Sequence, residues 1–502
     1  MHAAMLAEPT GRLNHPEAGI IEDRRVDTER SANGMATLIR NGRIVTAVDD
    51  YAADILVDDG CIRTIGRQIA VGGDVEVHDA SGLLVLPGGV DVHTHLDLIT
   101  PCARSVDTFG SGTKAAAFGG TTTLVDFCTP VAGESPLKGL EDWHRLRESA
   151  CVDVGAHMIL LDANPGTLED MKTLIRSEGV SSFKLFLAYP GALMVDDGAL
   201  FKAMRVAGAN GAMTCVHAEN GPVIQALVQE ALDQGLTAPK YHALTRPAIL
   251  EGEATQRAIR LAELAATPLY IVHLSAAQAL SAVTEARDRG IPVHAETCPQ
   301  YLFLTEEEYA RPGFEPAKYV MTPPLRDASH QRELWRGLQT DDLQVVSTDH
   351  CPFCFNEQPY GMQFSKQQGI DSFSRIPNGA PGVETRLPLV FDGAVVKHGM
   401  SLNRFVEITA TAPAKLFGLF PKKGTIAVGS DGDLVLFDPG ERWTVRAADH
   451  HSRTDYTLFE GRVVTGRVKK VFVRGQCIVD GTNWLGREGM GQYLRRGESG
   501  RP

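Results

Sequence analysis

Two histidines one residue apart, His93 and His95, close an apolar stretch over residues 83–92. In an extended chain positions i and i+2 share a face, so both imidazoles can converge on one ion. A lone His-x-His is a weak indication, because a histidine ending a strand is ordinarily a hydrogen-bonded core residue. Repetition gives the pattern its weight. His217 follows the run 213–216, His273 follows 270–272, and Asp349 follows 345–348. Four imidazoles and a carboxylate, each closing its own apolar run, make a donor set suited to Zn²⁺ and related transition ions. Lys184 differs in lying inside a run, between Phe183 and Leu185. An amine buried on both faces is desolvated and its pKa falls. Once neutral it can add CO₂ to give a carbamate, whose two oxygens can bridge two ions. A snorkelling lysine, or one paired with Asp349 or Glu219, fits the same spacing.

These residues need a scaffold that brings strand ends together. Between about residues 87 and 413, apolar runs (83–86, 123–127, 182–187, 213–216, 269–272 and 343–346) read as buried parallel strands. Helical patterns over 222–232 and 252–266 lie between them. Repeated β-then-α over that length predicts an α/β fold of the (β/α)8 barrel type, with chemistry at the C-terminal strand ends. No G-x-G-x-x-G follows a strand, which argues against a dinucleotide fold. Outside the barrel the pattern is short hairpins. Residues 38–45 read as two strands around Asn41-Gly42, and 53–66 as a second hairpin. Near the other end 432–438 reads as a strand and 471–479 as a hairpin that echoes 39–45. Such hairpins need a partner sheet, so the two ends are expected to fold together. The resulting division is a polar extension (1–34), a first β part (35–86), the barrel (87–413), a second β part (414–480) and a tail (481–502).

Composition removes other classes. The 502 residues hold 49 Lys and Arg against 62 Asp and Glu, a net charge of −13, which disfavours nucleic acid or an anionic membrane as partner. No apolar run reaches the ~18 residues of a membrane span. Residues 1–31 show no apolar segment of the signal-peptide kind. Nine scattered cysteines, an odd number, predict reduced thiols and a cytoplasmic protein. Cys351-Pro352-Phe353-Cys354 has no second pair and reads as a rim loop. His157, His242, His294 and His350 read as structural, and Asp97 and Asp107 as carboxylates that orient the first ligands.

Residues 87–97 (PGGVDVHTHLD) resemble the opening motif of the dihydropyrimidinase/hydantoinase branch of the cyclic amidohydrolases. The segments at 112–122, 182–189 (SFKLFLAY), 216–221 (VHAENG), 272–275, 296–302 (ETCPQYL), 348–353 (TDHCPF) and 378–384 (NGAPGVE) continue the resemblance in order. It covers about residues 35–492. Each motif is modest, but the ordered set is specific.

The resemblance implies a barrel with a β-sandwich domain formed by both chain ends, and a binuclear centre. By position, His93, His95 and Asp349 would hold one ion and His217 and His273 the other, with Lys184 as N6-carboxylysine bridging them. Zn²⁺ is the expected ion, and Mn²⁺ and Co²⁺ accept the same ligands. A bridging hydroxide would attack a ring carbonyl of a dihydropyrimidine or 5-substituted hydantoin, giving an N-carbamoyl amino acid. Tyr189 would donate to the oxyanion, and Asp349 would carry the proton to the leaving nitrogen. Thr322, where relatives often have Ser, and Asn378 would grip the cyclic amide through their backbone groups. Allantoinase shares the metal set, but Tyr189 and residues 125–130 (VDFCTP) favour the dihydropyrimidinase branch. Non-catalytic assembly proteins of this fold lose ligands, whereas all six positions are kept here. The loop 98–107, with Leu193 and Met194, is expected to favour bulky aryl or alkyl substituents. The resemblance further implies a homotetramer or homodimer, with residues 483–496 reaching a neighbour.

Overall fold

A computed structural model describes residues 36–100 and 103–500. The extension expected over 1–34 lies outside the described residues. The first five strands are β1 (Ala36–Val45), β2 (Asp50–Asp58), β3 (Cys61–Gly66), β4 (Val75–Asp79) and β5 (Leu84–Pro87). β2 and β3 form the expected hairpin, turning at Asp59 and Gly60 with φ of 51° and 76°, as an Asp-Gly turn requires. Asn41-Gly42 does not turn the chain, contrary to the sequence reading. Asn41 takes φ 60° and the register against β2 slips between Ile39 and Gly42, so β1 is one strand with a bulge. The reason lies on the strand's other edge, where β4 and β5 both run parallel to it. A Cβ on Gly42 would stand 2.3 Å from Val85 Cγ2, so the glycine serves a close approach by β5 rather than a turn.

The barrel consists of β6 (Gly89–Thr94), β7 (Thr121–Cys128), β8 (Asp153–Ile159), β9 (Ser182–Phe186), β10 (Met213–His217), β11 (Leu269–Ile271), β12 (Val293–Thr297) and β13 (Val345–Val346). They are parallel and ordered as in sequence, with helices such as Gly221–Asp233, Ala248–Ala265 and Ala277–Asp288 between them. The run 83–86 is not a barrel strand. Its residues form β5, and the chain kinks at Gly88, where a Cβ would meet the Thr122 side chain at 2.0 Å. β8 and β12 carry no continuous apolar run to mark them in the sequence, because Asp153, Gly155 and His157, and His294 and Glu296, interrupt their apolar character.

No ladder among the described residues joins β13 back to β6. Side chains close that seam instead. The buried Arg386 guanidinium donates to Val90 O of β6 (3.1 Å), Val346 O of β13 (3.0 Å), Thr409 O (3.2 Å) and Thr121 Oγ1 (3.1 Å). Asp91 accepts from Thr348 N (3.2 Å) and Oγ1 (2.6 Å), and His95 N donates to His350 O (2.9 Å). The seam therefore fixes where Asp349 stands relative to His93 and His95.

The C-terminal strands are β14 (Leu434–Thr444), β15 (Val463–Val473), β16 (Gln476–Asp480) and β17 (Asn483–Trp484). β14 pairs with β5, which joins both chain ends in one nine-stranded mixed sheet ordered β17-β16-β15-β14-β5-β1-β2-β3, with β4 also on β1. The segment that echoes 39–45 is a true hairpin here, because Arg474 and Gly475 both take positive φ, 48° and 77°. Lys423 ties sheet and barrel. Its buried ammonium bonds Asp153 (2.7 Å), Asp431 (2.9 Å) and Asp433 (2.8 Å), and Asp153 also pairs with Arg474. Residues 490–496 run along the chain's own barrel, with Val154 N on Gln492 O and Leu494 N on Val154 O, each 2.9 Å. No helix among the described residues is long and apolar enough to cross a membrane.

Candidate metal centre

The strands deliver their polar ends to one buried cluster. His93 lies near the end of β6 and His95 just past it, while Lys184 is the middle residue of β9. His217 ends β10, and His273 and Asp349 follow β11 and β13. His93 Nε2 and His95 Nε2 lie 3.1 and 3.3 Å from Asp349 Oδ1. Among the described residues these three form the one group whose ligand atoms all lie within 4.8 Å of one another. Lys184 Nζ is 3.0 Å from His93 Nε2, and His217 Nδ1 faces His273 Nε2 at 2.9 Å. The rings of His93 and His273 are 5.2 Å apart. All six positions singled out in the sequence are thus neighbours.

The backbone is strained where it turns into the site. Asp349, His273 and Tyr189 are non-glycine residues in the left-handed region, with φ of 52°, 39° and 64°. Each such residue costs of order 1–3 kcal/mol, which surrounding structure must offset.

Burial sets the protonation of the donors. It pushes His95 down to about 4 and His273 well below its ordinary value, so both imidazoles are neutral and free to ligate. Burial also raises the Asp349 carboxyl, but His93 and His95 beside it prevail and hold it well below the usual carboxylate range. Burial lowers the Lys184 amine, against the pull of Asp349 and Glu296. Lys184 is 1% exposed and makes no ion pair among the described residues, so it neither snorkels nor pairs with Asp349 or Glu219. The Phe127 and Phe186 rings flank its Nζ at 4.2 and 4.9 Å, and Glu219 is bound to His217 Nε2 at 2.9 Å. Buried imidazoles, one carboxylate and an amine with no carboxylate partner among the described residues fit a divalent ion of intermediate softness.

The residues behind the donors differ from expectation. Asp97 and Asp107 make no hydrogen bond to His93 or His95. Asp97 accepts from Phe109 N (2.7 Å) and Asp107 from His350 Nε2 (3.1 Å) and Ser452 Oγ (2.6 Å). Both lie on the loop beyond β6, turned toward the next helix and the residues after β13. The carboxylate behind the histidines is Glu296. It pairs with His93 Nδ1 and accepts from His273 N (3.1 Å) and Tyr270 Oη (2.9 Å). Its signal, a polar residue near the C-terminal end of a barrel strand, was open to sequence reasoning but hidden with β12. Asp126 steadies the chain between and after the two histidines, accepting from Thr94 Oγ1 (2.7 Å), Leu96 N (2.9 Å) and Trp143 Nε1 (3.0 Å). His157, His242 and His350 are held by structural hydrogen bonds, to Val92 O (3.0 Å), Met321 O (2.9 Å) and Asp107. His294 is buried beside the Gly500 backbone, which offers its ring a hydrogen bond. Cys351 and Cys354 are free thiols.

Tyr189 stands beside the cluster, its ring 5.5 Å from that of His217. Burial pushes its hydroxyl up to about 12, and the Thr322 and Asn378 side chains against it pull the other way. The three residues singled out for substrate contact are therefore brought together. Leu193, Tyr189 and Leu161 each pack against the inner barrel core, and Leu98 packs against the cluster of Ala103, Cys351 and Phe353. Pro101 and Cys102 of that loop lie outside the described residues.

The amidohydrolase family profile matches residues 84–478. A D-hydantoinase of Streptomyces coelicolor is 50% identical over 465 residues, covering 92% of this chain and 98% of that one. A D-hydantoinase of Geobacillus stearothermophilus is 48% identical over 467 residues, 93% of this chain and 98% of that one. The crystal structure of dihydropyrimidinase from Brevibacillus agri superposes with a TM-score of 0.90 at 47% identity, covering 93% of this chain and 100% of that one.

Proposed function

This chain belongs to the dihydropyrimidinase/D-hydantoinase family of amidohydrolases and is a cyclic amide hydrolase, and on that footing we propose that it opens 5-substituted hydantoins and dihydropyrimidines to N-carbamoyl amino acids. The observation that carries this reading is the buried His93, His95 and Asp349 group at the C-terminal mouth of the barrel.

His93, His95 and Asp349 would hold one divalent ion and His217 and His273 a second. Lys184 would join them as a carbamate, formed when its neutral amine adds CO₂ and releases a proton. Its burial without an ion pair supports that role. Held there, such ions (Zn²⁺ by donor type, with Mn²⁺ or Co²⁺ accepting the same ligands) would supply a water acidified from 15.7 towards ~7 and an electrophile for the carbonyl. Tyr189 stays protonated through neutral pH and would donate to the oxygen of the carbonyl under attack. Asp349 Oδ would accept the water's proton and return it to the ring nitrogen as the C–N bond breaks. The segments at Thr322 and Asn378 would grip the cyclic amide. Leu98 and Leu193 favour a bulky aryl or alkyl substituent over unsubstituted dihydrouracil.

The eight described cysteines are all unpaired, which suits a reducing cytoplasm. We assign the enzyme a homotetrameric or homodimeric state, which light scattering would count. The test of function is ring opening of 5-phenylhydantoin, dihydrouracil and allantoin in parallel, with and without chelator. Chelator-sensitive opening of 5-phenylhydantoin ahead of dihydrouracil is expected. Opening of allantoin alone would overturn the reading. Asp349→Ala should abolish turnover, and near-wild-type activity in that variant would remove its assigned role.

A further inference from the structure

Lys366 is fully buried, yet among the described residues no carboxylate pairs with it. Its Nζ donates to three backbone carbonyls, Val320 O at 2.7 Å, Pro377 O at 2.7 Å and Gly379 O at 2.6 Å. Three acceptors around one nitrogen match the three N–H donors of an ammonium. The segments so joined are far apart in sequence, and each adjoins a residue assigned to the substrate. Val320 lies two residues before Thr322, and Pro377 and Gly379 flank Asn378. Gly379 N donates to Val320 O at 3.2 Å, so the two segments also touch directly.

The consequence for Asn378 follows from peptide geometry. The Pro377–Asn378 bond is trans, so the edge opposite the Pro377 carbonyl carries the Asn378 N–H. Holding the carbonyl on Lys366 therefore aims that N–H away from the lysine. The Gly379–Ala380 and Val320–Met321 planes are fixed in the same way. The lysine is itself rigidly mounted. Its own N–H donates to Cys354 O at 2.8 Å, and Gly369, at the end of its turn, packs so closely on Ile376 that a Cβ would stand 2.2 Å from Ile376 Cγ1. On the far side Thr322 and Asn378 meet at the Tyr189 hydroxyl.

We propose that Lys366 is a positioning residue for substrate binding, a three-way clamp that sets the Thr322 and Asn378 backbone to receive the cyclic amide. The inference rests on the substrate roles assigned above. Lys366 touches neither the metal ligands nor the reacting atoms, so its removal acts on KM rather than kcat.

The test compares the metal-loaded wild type with Lys366→Met, which removes all three donors, and Lys366→Gln, which keeps two on a shorter stem. With 5-phenylhydantoin, Lys366→Met should raise KM at least tenfold and change kcat less than threefold, with Lys366→Gln between it and wild type. Metal content should stay at the wild-type level. Amide hydrogen exchange, which needs no turnover, should quicken over 376–381 and 320–323 but not over 91–96. Lys423→Met, at an equally buried lysine elsewhere, should lower Tm without moving KM. KM within twofold of wild type, unchanged exchange over 376–381, or a loss confined to kcat would overturn the clamp. If Lys366→Met does not fold, Lys366→Gln decides the same points. Wild-type silence on every ureide would fail the functional reading, and the exchange comparison would still judge the clamp.

Discussion

Glu296 and Lys184 are two buried groups at one site with opposite circumstances. Glu296 is fully engaged, with His93 Nδ1, His273 N and Tyr270 Oη all on its two oxygens. A carboxylate behind a ligating imidazole fixes its tautomer and raises its basicity, and such partners are typically worth 10–100-fold in metal affinity or activity. Glu296→Gln is accordingly expected to lose about that factor in kcat and to bind less metal, as read by atomic absorption alongside turnover. Among the described residues Lys184 has no carboxylate partner, and burial lowers its pKa toward the neutral amine, the form that reacts with CO₂. Reloading the stripped protein with Zn²⁺ in CO₂-depleted buffer should therefore give less bound metal than in bicarbonate. Lys184→Met should show no such difference. Equal loading of the wild type in both buffers would count against a carbamate.

Among the elements, β6 and β13 matter most, because the ligands they carry face each other across a barrel junction that no ladder spans among the described residues. Arg386 bridges that junction by donating to Val90 O and Val346 O, and Asp91 bridges it through Thr348. Arg386→Met would leave three buried carbonyls without this donor and Asp91 without its cation. Removing one member of such a buried set costs about 3–5 kcal/mol. Denaturant unfolding should show that loss, and bound metal should fall with it as Asp349 drifts from His93. The elements missed in the sequence share one character. β8 and β12 are fully buried but carry Asp153, His157, His294 and Glu296, which local hydrophobicity scores as surface. Asp153, His157 and Glu296 have their hydrogen-bond partners on other strands or loops, and only the assembled barrel supplies them.

For the whole molecule, buried neutral histidines set the response to acid. Burial lowers His157 and His242 well below their ordinary value and His294 to about 4. The unfolded chain takes up these protons near pH 6.5, whereas the folded chain refuses them until far lower. Stability is thus fully present above about pH 6.5 and is lost as pH falls towards 4. Tm of the metal-free protein should drop steadily over that window, with His294→Phe dropping less. A flat profile would mean that these rings are protonated in the native state.

The sequence by itself determined the barrel and the residues that ring its mouth. Apolar runs specify buried strands, and the polar residue closing each run must emerge at the C-terminal end, so His93, His95, His217, His273 and Asp349 were fixed by local pattern. The tertiary structure decided what each of those residues leans on. Glu296 stands behind His93 from 203 residues away, Arg386 closes a seam between the first and last barrel strands, and Lys366 holds two distant backbone segments. It also decided that Asn41-Gly42 is a bulge while Arg474-Gly475 is a turn, because β5 crowds the first glycine. Local sequence encodes which way a side chain points and whether it is buried. The partner of a buried polar group is chosen by proximity in space, which exists only once the chain has folded.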